Sequence, residues 1–89
     1  MGYRVLLHPK ARAFLEGVDA GLRSSITERL LSLEEEPKKG TRLRHSEFWR
    51  LRIGDYRAIY EIDHGTKRVI VLFIGHRRDV YDDFSRILW

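Results

Sequence analysis

Hydrophobic and polar residues alternate along residues 49–62, and this alternation predicts two strands joined by a tight turn. The turn falls at Gly54-Asp55, because glycine at the first position of a two-residue loop is typical of a type II′ hairpin turn. This turn pairs Ile53 with Tyr56 and fixes the two faces of the hairpin. One face collects apolar side chains, namely Trp49, Leu51, Ile53, Tyr56, Ala58, Tyr60 and Ile62. The other face carries Arg50, Arg52, Arg57, Ile59 and Glu61.

The first half of the chain predicts a strand and two amphipathic helices. Residues 3–8 have the composition of a short strand, and apolar side chains at helical spacing predict a helix over residues 9–18. Asp19 is placed to cap a second helix, which ends near 34–37, where three glutamates precede a proline. The apolar stripe of this second helix consists of Leu22, Ile26, Leu30 and Leu33. Two helices joined so closely form a hairpin that needs a sheet to cover its stripes.

The second half of the chain predicts an antiparallel meander. A basic connector over residues 38–47 leads into the hairpin, and turn-forming residues at 63–67 follow it. Residues 69–74 are continuously apolar, which favours an interior strand covered on both faces. Residues 82–89 predict a short C-terminal helix. The sequence thus predicts one α+β domain over residues 1–89, with an N-terminal strand and helical hairpin packed on an antiparallel meander.

Charge is concentrated in the second half of the chain. Of the formal net charge of +4, residues 1–37 contribute −1 and residues 38–89 contribute +5. A localised basic surface favours phosphate-bearing or acidic partners, although a charge of this size is also compatible with ordinary solubility. The chain has no cysteine and no apolar run of membrane-spanning length. Both features fit a protein of the reducing cytosol with no membrane partner.

The arginines supply the candidate chemistry. Arg52 is expected directly opposite Arg57, where like charges destabilise a sheet unless they hold an anion. Arg77 follows the glycine that ends the interior strand, so the meander brings it near the hairpin. Guanidinium groups bind phosphate with a planar fork of donors and stabilise the charge of a five-coordinate transition state. The predicted concave basic surface collects Arg50, Arg52, Arg57, Arg77 and Tyr81.

Plainer interpretations stand beside this one. Arg50 and Arg52 fit a solvated strand face, and Arg77 with Arg78 fits the end of a strand. Tyr81 fits a core aromatic with its hydroxyl at the edge. No pattern in the sequence indicates a metal site or an ordinary histidine and carboxylate nuclease site, so no metal and no cofactor are expected.

Two segments of this chain resemble a known family. Trp-Arg-Leu-Arg-Ile-Gly-Asp-Tyr-Arg-Ala-Ile-Tyr-Glu-Ile at 49–62, followed by Gly-His-Arg-Arg-Asp-Val-Tyr at 75–81, is similar to the RelE/ParE superfamily of bacterial and archaeal toxins. The opening residues 3–11 and the Glu-Glu-Glu-Pro segment at 34–37 also match the usual layout. The resemblance covers nearly the whole chain and implies the toxin of a type II toxin–antitoxin system.

The RelE branch implies a ribosome-dependent endoribonuclease that cuts messenger RNA in the A site and inhibits translation without a metal. The 2′-hydroxyl of the RNA attacks the adjacent phosphate and leaves a 2′,3′-cyclic phosphate. By this resemblance Arg57 and Arg77 bind the scissile phosphate, and Tyr81 orients the nucleotide or acts as the acid. Arg50 and Arg52 add electrostatic stabilisation.

The chain also departs from that pattern. Arginines stand where the hairpin strand often carries lysines, and because arginine stays protonated throughout the physiological pH range it is a poor acid or base. His76 stands where some members have lysine, and its pKa range suits proton transfer. Besides the catalytic set of Arg52, Arg57, Arg77 and Tyr81, the expected RNA-binding residues are Arg50, His76, Arg78 and Arg44.

The resemblance implies partners as well. RelE-like toxins act on the ribosome and its messenger RNA, and each is held in check by a cognate antitoxin. Charge complementarity predicts that this antitoxin is acidic and partly disordered. The alternative within the same superfamily is a ParE-like protein, which keeps the scaffold but inhibits DNA gyrase without being an enzyme. A basic nucleic-acid-binding module without toxicity is a third interpretation.

Overall fold

The structure, a computed structural model, describes residues 2–77. The predicted terminal helix at 82–89 and the candidate site residues Arg78 and Tyr81 lie outside the described residues. Two α-helices, two short 3₁₀-helices and five strands follow one another along residues 2–77. In chain order these elements are β1 (Arg4–Leu7), α1 (Pro9–Glu16), α2 (Ala20–Leu31), 3₁₀ turns at Ser32–Glu34 and Pro37–Lys39, β2 (Thr41–Arg42), β3 (Phe48–Ile53), β4 (Tyr56–Asp63) and β5 (Arg68–His76).

The strands form one mixed sheet in the order β1-β5-β4-β3-β2. Strands β2 to β5 pair antiparallel, and β1 pairs parallel with β5. The predicted α+β fold is therefore confirmed. Two details differ from the sequence analysis. The parallel pairing of β1 was not predicted, and β2 lies inside the stretch interpreted as a connector, since two residues are too few to show an alternation.

Local capping sets the limits of the two helices. Asp19 caps α2 as predicted, because its carboxylate accepts a hydrogen bond from the backbone N–H of Leu22 at 2.7 Å. Helix α1 ends at Glu16, two residues earlier than predicted. The guanidinium of Arg23 donates to the carbonyls of Leu15 at 2.9 Å and Val18 at 3.0 Å. Arg23 thereby stabilises the end of α1 and the joint between the helices.

The helices cover one face of the sheet, and the core lies between the helices and that face. The apolar face predicted for the hairpin is the face that packs on this core. Tyr60 lies at the centre of this core and is 0% exposed. Its hydroxyl donates a hydrogen bond to the Pro37 carbonyl at 2.7 Å and accepts one from the Gly40 N–H at 3.1 Å. Burial raises the pKa of the Tyr60 phenol. A Cβ on Gly40 would collide with the carbonyl oxygen of Arg50, so glycine is required where the connector crosses β3.

Strand β5 is buried on both faces, which confirms its prediction as an interior strand. Its register with β4 shifts at Ile59 and Tyr60, so that Tyr60 pairs with Val71 and Ile59 with Phe73. The shift puts Phe73 on the sheet face of Ile59, where Nζ of Lys10 from α1 lies 5.6 Å from the centroid of its ring. With Ile59, Phe73 forms a second, smaller apolar cluster, against which Leu43, Phe48 and Leu72 pack.

Candidate functional site

The turn of the β3–β4 hairpin organises the candidate site. Gly54 has a φ of +60°, whereas Asp55 has a negative φ, which is the combination expected of the predicted type II′ turn. The register pairs Arg52 with Arg57, and Arg57 with Gly75 of β5. We call the sheet face opposite the helices, which carries Arg50, Arg52 and Arg57, the arginine face. Its assignment from the alternation of residues 49–62 agrees with the structure.

The guanidinium of Arg57 is anchored to the turn. Its Nη1 donates to the carbonyl of Gly54 and to the carbonyl of Tyr56, both at 2.8 Å. The described residues give its Nε and Nη2 no hydrogen-bond partner. These two nitrogens form one edge of the guanidinium plane, the edge that binds two oxygens of an anion side by side. Because the carbonyl dipoles offset part of the positive charge, Arg57 can stand opposite Arg52 without an acidic partner.

Arg52 and Arg77 lie at the same turn. The carbonyl of Arg52 accepts a hydrogen bond from Nη2 of Arg29 at 3.0 Å, and the side chain of Arg52 is exposed. The backbone N–H of Arg77 donates to the carbonyl of Asp55 at 2.9 Å, and Arg77 is also exposed. Arg77 directly follows β5, so its backbone lies next to the turn residue Asp55. The backbones of three arginines predicted from sequence thus lie around one turn.

Arg50 and Arg44 lie progressively farther from this turn. Arg50 is half-buried in the middle of β3, where it pairs with Ile59 on one side and Thr41 on the other. Arg44 is exposed in the loop between β2 and β3, at the opposite end of β3. Five residue steps of about 3.3 Å separate the two ends of this strand, a distance of about 17 Å. Arg44 was predicted as an RNA-binding residue, and the structure does not bring it to the other arginines.

His76 lies on the other side of the sheet. It pairs with Tyr56, and the two rings make an edge-to-face contact with centroids 5.7 Å apart. The Tyr56 ring in turn lies 5.9 Å from Phe14 of α1, on the face covered by the helices. His76 was expected to take a proton-transfer role beside the hairpin arginines. Alternation along β5 instead places it on the face opposite to Arg57.

Arg29 also lies beside the hairpin turn, and it was not predicted from the sequence. In the helical pattern of α2 it occupies an ordinary exposed position, and its contact with the Arg52 carbonyl depends on how α2 crosses the sheet. No signal in the sequence indicates that contact. Within residues 2–77, no three histidine, cysteine, aspartate or glutamate side chains lie close enough to hold a metal ion together. No helix in that same range is long and apolar enough to cross a lipid bilayer.

Solved structures similar to this chain are RelE proteins. The toxin–antitoxin complex RelBE2 from Mycobacterium tuberculosis matches at 27% identity with a TM-score of 0.75, covering 86% of this chain and 100% of the other. The archaeal RelE–RelB complex from Pyrococcus horikoshii matches at 28% identity with a TM-score of 0.74, covering 86% and 97%. A mutant of the E. coli toxin RelE in the free state shares the fold over the full length of both chains, with a TM-score of 0.79 and 18% identity.

A family comparison gives the same superfamily by a different route. No curated protein sequence matches the chain. Residues 5–81 match the family model described as the ParE toxin of type II toxin–antitoxin systems. The match spans both helices, all five strands and the hairpin with its arginines. This chain therefore belongs to the ParE toxin family, within the RelE/ParE superfamily of type II toxin–antitoxin toxins.

Proposed function

We propose that this toxin is a ribosome-dependent endoribonuclease that cuts messenger RNA in the ribosomal A site. The observation that carries the proposal is the grouping of Arg52, Arg57 and Arg77 around the Gly54-Asp55 turn. The similarity to two RelE proteins at 27% and 28% identity supports this branch of the superfamily. A pre-organised set of guanidinium donors suits phosphate chemistry, because it stabilises charge that develops in the transition state.

In the proposed reaction the 2′-hydroxyl of one nucleotide gives up its proton to solvent water, and its oxygen forms a bond to the adjacent phosphorus as the bond to the 5′-oxygen breaks. The products are a 2′,3′-cyclic phosphate and a free 5′-hydroxyl. The Nε and Nη2 edge of Arg57 is directed to two phosphate oxygens, since Nη1 is already held by the turn carbonyls. Arg52 and Arg77 add positive charge from the neighbouring strands. In this scheme Tyr81 supplies the proton to the leaving 5′-oxygen or stacks on the nucleotide.

We also propose a cognate antitoxin as the partner that silences the toxin. The solved structures from M. tuberculosis and P. horikoshii contain RelE together with RelB. An acidic, partly disordered segment would be drawn to the arginine face by complementary charge, and would screen Arg52 and Arg57 from RNA. Arg50 and Arg78 would extend the contact with messenger RNA on the ribosome.

A cleavage assay on programmed ribosomes tests the nuclease. Purified toxin is added to ribosomes with a defined codon in the A site, and the cut is mapped by primer extension. Arg57→Ala should lower the single-turnover rate by about 100-fold or more, the usual cost of removing one donor to a developing oxyanion. Arg12→Ala, which removes an exposed cation from α1, is the matched control and should leave the rate within about twofold. Intact messenger RNA at saturating toxin would reject the proposal.

The match to the ParE family model favours a second candidate, inhibition of DNA gyrase without catalysis. A supercoiling assay separates the two functions with the same protein preparation. Dose-dependent loss of supercoiling, together with intact messenger RNA on programmed ribosomes, would establish the gyrase inhibitor. Normal supercoiling together with A-site cleavage would establish the endoribonuclease.

A further inference from the structure

A polar groove lies at the end of the sheet away from the arginine turn. It consists of two adjoining cavities of about 360 and 540 Å³, which share Lys38 and His64. The connector segment 37–42 forms one wall, and the ends of β3 and β4 form the other. We call this feature the connector groove. The side chains that carry its chemistry are Lys38, Arg42, Glu47, Trp49 and His64.

The walls of the connector groove are held in place by tertiary contacts. The buried Tyr60 hydroxyl binds the backbone of Pro37 and Gly40, which fixes the connector above the sheet. The Trp49 ring stacks on Tyr60, with centroids 6.3 Å apart and ring planes 21° from parallel. The Tyr3 hydroxyl lies 2.7 Å from Nδ1 of His64, which orients that imidazole. A groove fixed in this way binds a ligand with little loss of conformational entropy.

The groove combines three kinds of binding group. Lys38 and Arg42 are exposed cations, and neither forms an ion pair within the described part of the chain. Arg42 uses only its Nε, which donates to the Ser46 carbonyl at 3.0 Å, so its terminal nitrogens are available. Trp49 offers an aromatic ring. Glu47 offers a carboxylate that accepts hydrogen bonds from N–H donors.

A nucleotide has a chemical group that can bind to each of these three kinds of side chain. Its phosphate matches Lys38 and Arg42, its base has a π-face for Trp49, and the edge of the base presents N–H donors to a carboxylate. Single-stranded RNA is recognised by this combination of cations with aromatic stacking and hydrogen bonds to base edges. An acidic peptide fits less well, because its carboxylates would meet the carboxylate of Glu47.

We propose that the connector groove binds one nucleotide of single-stranded RNA, separately from the arginine face. The proposal takes RNA as the ligand class from the proposed function and goes beyond it by assigning a second contact site. The two sites lie at opposite ends of β3, so the nucleotide in the connector groove is not the one whose phosphate is cut. The connector groove thus adds affinity for RNA and no group to the reaction.

Fluorescence of Trp49 reports occupancy of this groove directly. The chain has two tryptophans, so the variant Trp89→Phe leaves Trp49 as the single emitter. The probe is a 2′-O-methyl hexa-adenylate, which cannot be cut through its 2′-oxygen. We expect quenching on titration, and we expect Lys38→Glu with Arg42→Glu in that background to raise the dissociation constant by tenfold or more. The slope of log affinity against log salt should fall by about 0.7 for the loss of one neutralised phosphate of a single strand.

Matched variants separate a local effect from general charge. Lys10→Glu with Arg12→Glu makes the same change of charge at exposed positions of α1, outside the lining of the groove, and should change the dissociation constant by less than threefold. Lys38→Gln with Arg42→Gln tests the site with a smaller change, and should weaken binding by about threefold or more. Equal thermal unfolding temperatures establish that each pair of variants is folded.

Three results would overturn the inference. One is an unchanged dissociation constant in both the Glu and Gln variants of Lys38 and Arg42. Another is quenching by inorganic phosphate alone at matched ionic strength, which would show a simple anion site. The third is quenching by poly-glutamate and none by RNA, which would make the groove a protein contact. The fluorescence titration contains no ribosome, so its result does not depend on the outcome of the A-site cleavage assay. Arg57→Ala should abolish cleavage and leave the quenching intact.

Discussion

The two ends of the β3–β4 hairpin hold positive charge in different ways. At the turn end, the guanidinium of Arg57 is bound to carbonyls at Gly54 and Tyr56, so the contacts span only three residues of sequence. At the connector end, the cations Lys38 and Arg42 stand beside a tryptophan of β3 and the carboxylate of Glu47. The turn end is a local arrangement of arginines around a turn whose one acidic residue is Asp55, whereas the connector end is a groove assembled from separate segments, with an aromatic ring beside charges of both signs.

This difference has a chemical consequence. Closely spaced arginines at the turn suit a transition state that gains negative charge, and they offer little discrimination among bases. Mixed donors and acceptors at the connector end suit recognition of a nucleotide. A single hairpin can therefore separate catalysis from binding along its length of about 17 Å.

Tyr60→Ala should have the largest effect, on stability. Removing a fully buried aromatic ring leaves a cavity and also leaves the Gly40 N–H without its acceptor. We expect the free energy of unfolding to fall by about 3–5 kcal/mol, measured by urea denaturation. Tyr56→Ala, at a half-buried ring of the turn end, is the comparison and should cost less. Equal losses would show that the connector end is no more dependent on tertiary contacts than the turn end.

Arg57→Lys should affect activity more than stability. Lysine keeps the charge but cannot hold two turn carbonyls while directing a parallel pair of donors outwards. On programmed ribosomes we expect the cleavage rate to fall by tenfold or more, equivalent to about 1.4 kcal/mol of activation free energy. Arg12→Lys is the matched control. A rate within twofold of the parent protein would mean that only the charge of Arg57 matters.

Gly54→Ala should destabilise the turn end modestly. The position has a φ of +60° with no heavy atom within 4 Å of a Cβ, so the cost is backbone strain without a steric clash. We expect the free energy of unfolding to fall by about 1–2 kcal/mol. Gly21→Ala, inside α2, should instead raise it by up to about 1 kcal/mol. Urea denaturation of the two variants measures both signs, and a neutral Gly54→Ala would contradict the turn type.

Alkaline pH should lower the contribution that Tyr60, at the connector end, makes to the free energy of unfolding. Burial raises the pKa of Tyr60 above its ordinary value near 10, so the folded protein retains the phenol proton more tightly than the unfolded chain. This contribution to stability is complete below pH 10 and is lost as pH rises through the raised pKa. The stability advantage over Tyr60→Phe should therefore shrink above pH 10. Urea denaturation of both proteins from pH 8 to 11.5 measures it, and a constant difference would contradict the prediction.

Arg29→Gln should have the smallest effect. It removes the hydrogen bond from α2 to the carbonyl of Arg52, an exposed contact whose loss should cost about 0.5–1 kcal/mol of unfolding free energy. Because the contact holds the hairpin at the turn end, the cleavage rate should fall by about threefold, and RNA binding in the connector groove should be unchanged. Arg29→Lys is the conservative control. A change in Trp49 quenching would show that the two ends are coupled.

Much of the fold could be predicted from the sequence because its signals are local. The Gly54 turn, the pairing of Ile53 with Tyr56 and the Asp19 cap each depend on residues within a few positions of one another. The arginine face followed from the same alternation. Strand β2 and the parallel pairing of β1 could not be predicted in this way, because their partners lie elsewhere in the chain and each strand is short.

The same distinction between local and distant contacts applies to the candidate site. Arg52 and Arg57 were placed correctly relative to each other because one turn sets their register. His76 was predicted among the RNA-binding residues with no face assigned to it, and its pairing with Tyr56 places it on the face opposite Arg57. Arg29 and the connector groove were not predicted at all. Each needs elements that are distant in sequence to lie side by side.

The amino-acid order by itself determined the hairpin, the arginines that line it and the helix caps, since these depend on steric and hydrogen-bonding preferences over a few residues. Only the tertiary structure decided which face His76 occupies, which carbonyl Arg29 binds, and that Trp49 and Lys38 line one groove. Such contacts depend on how the buried faces of separate elements pack against one another. That packing is a property of the whole core, with Tyr60 at its centre.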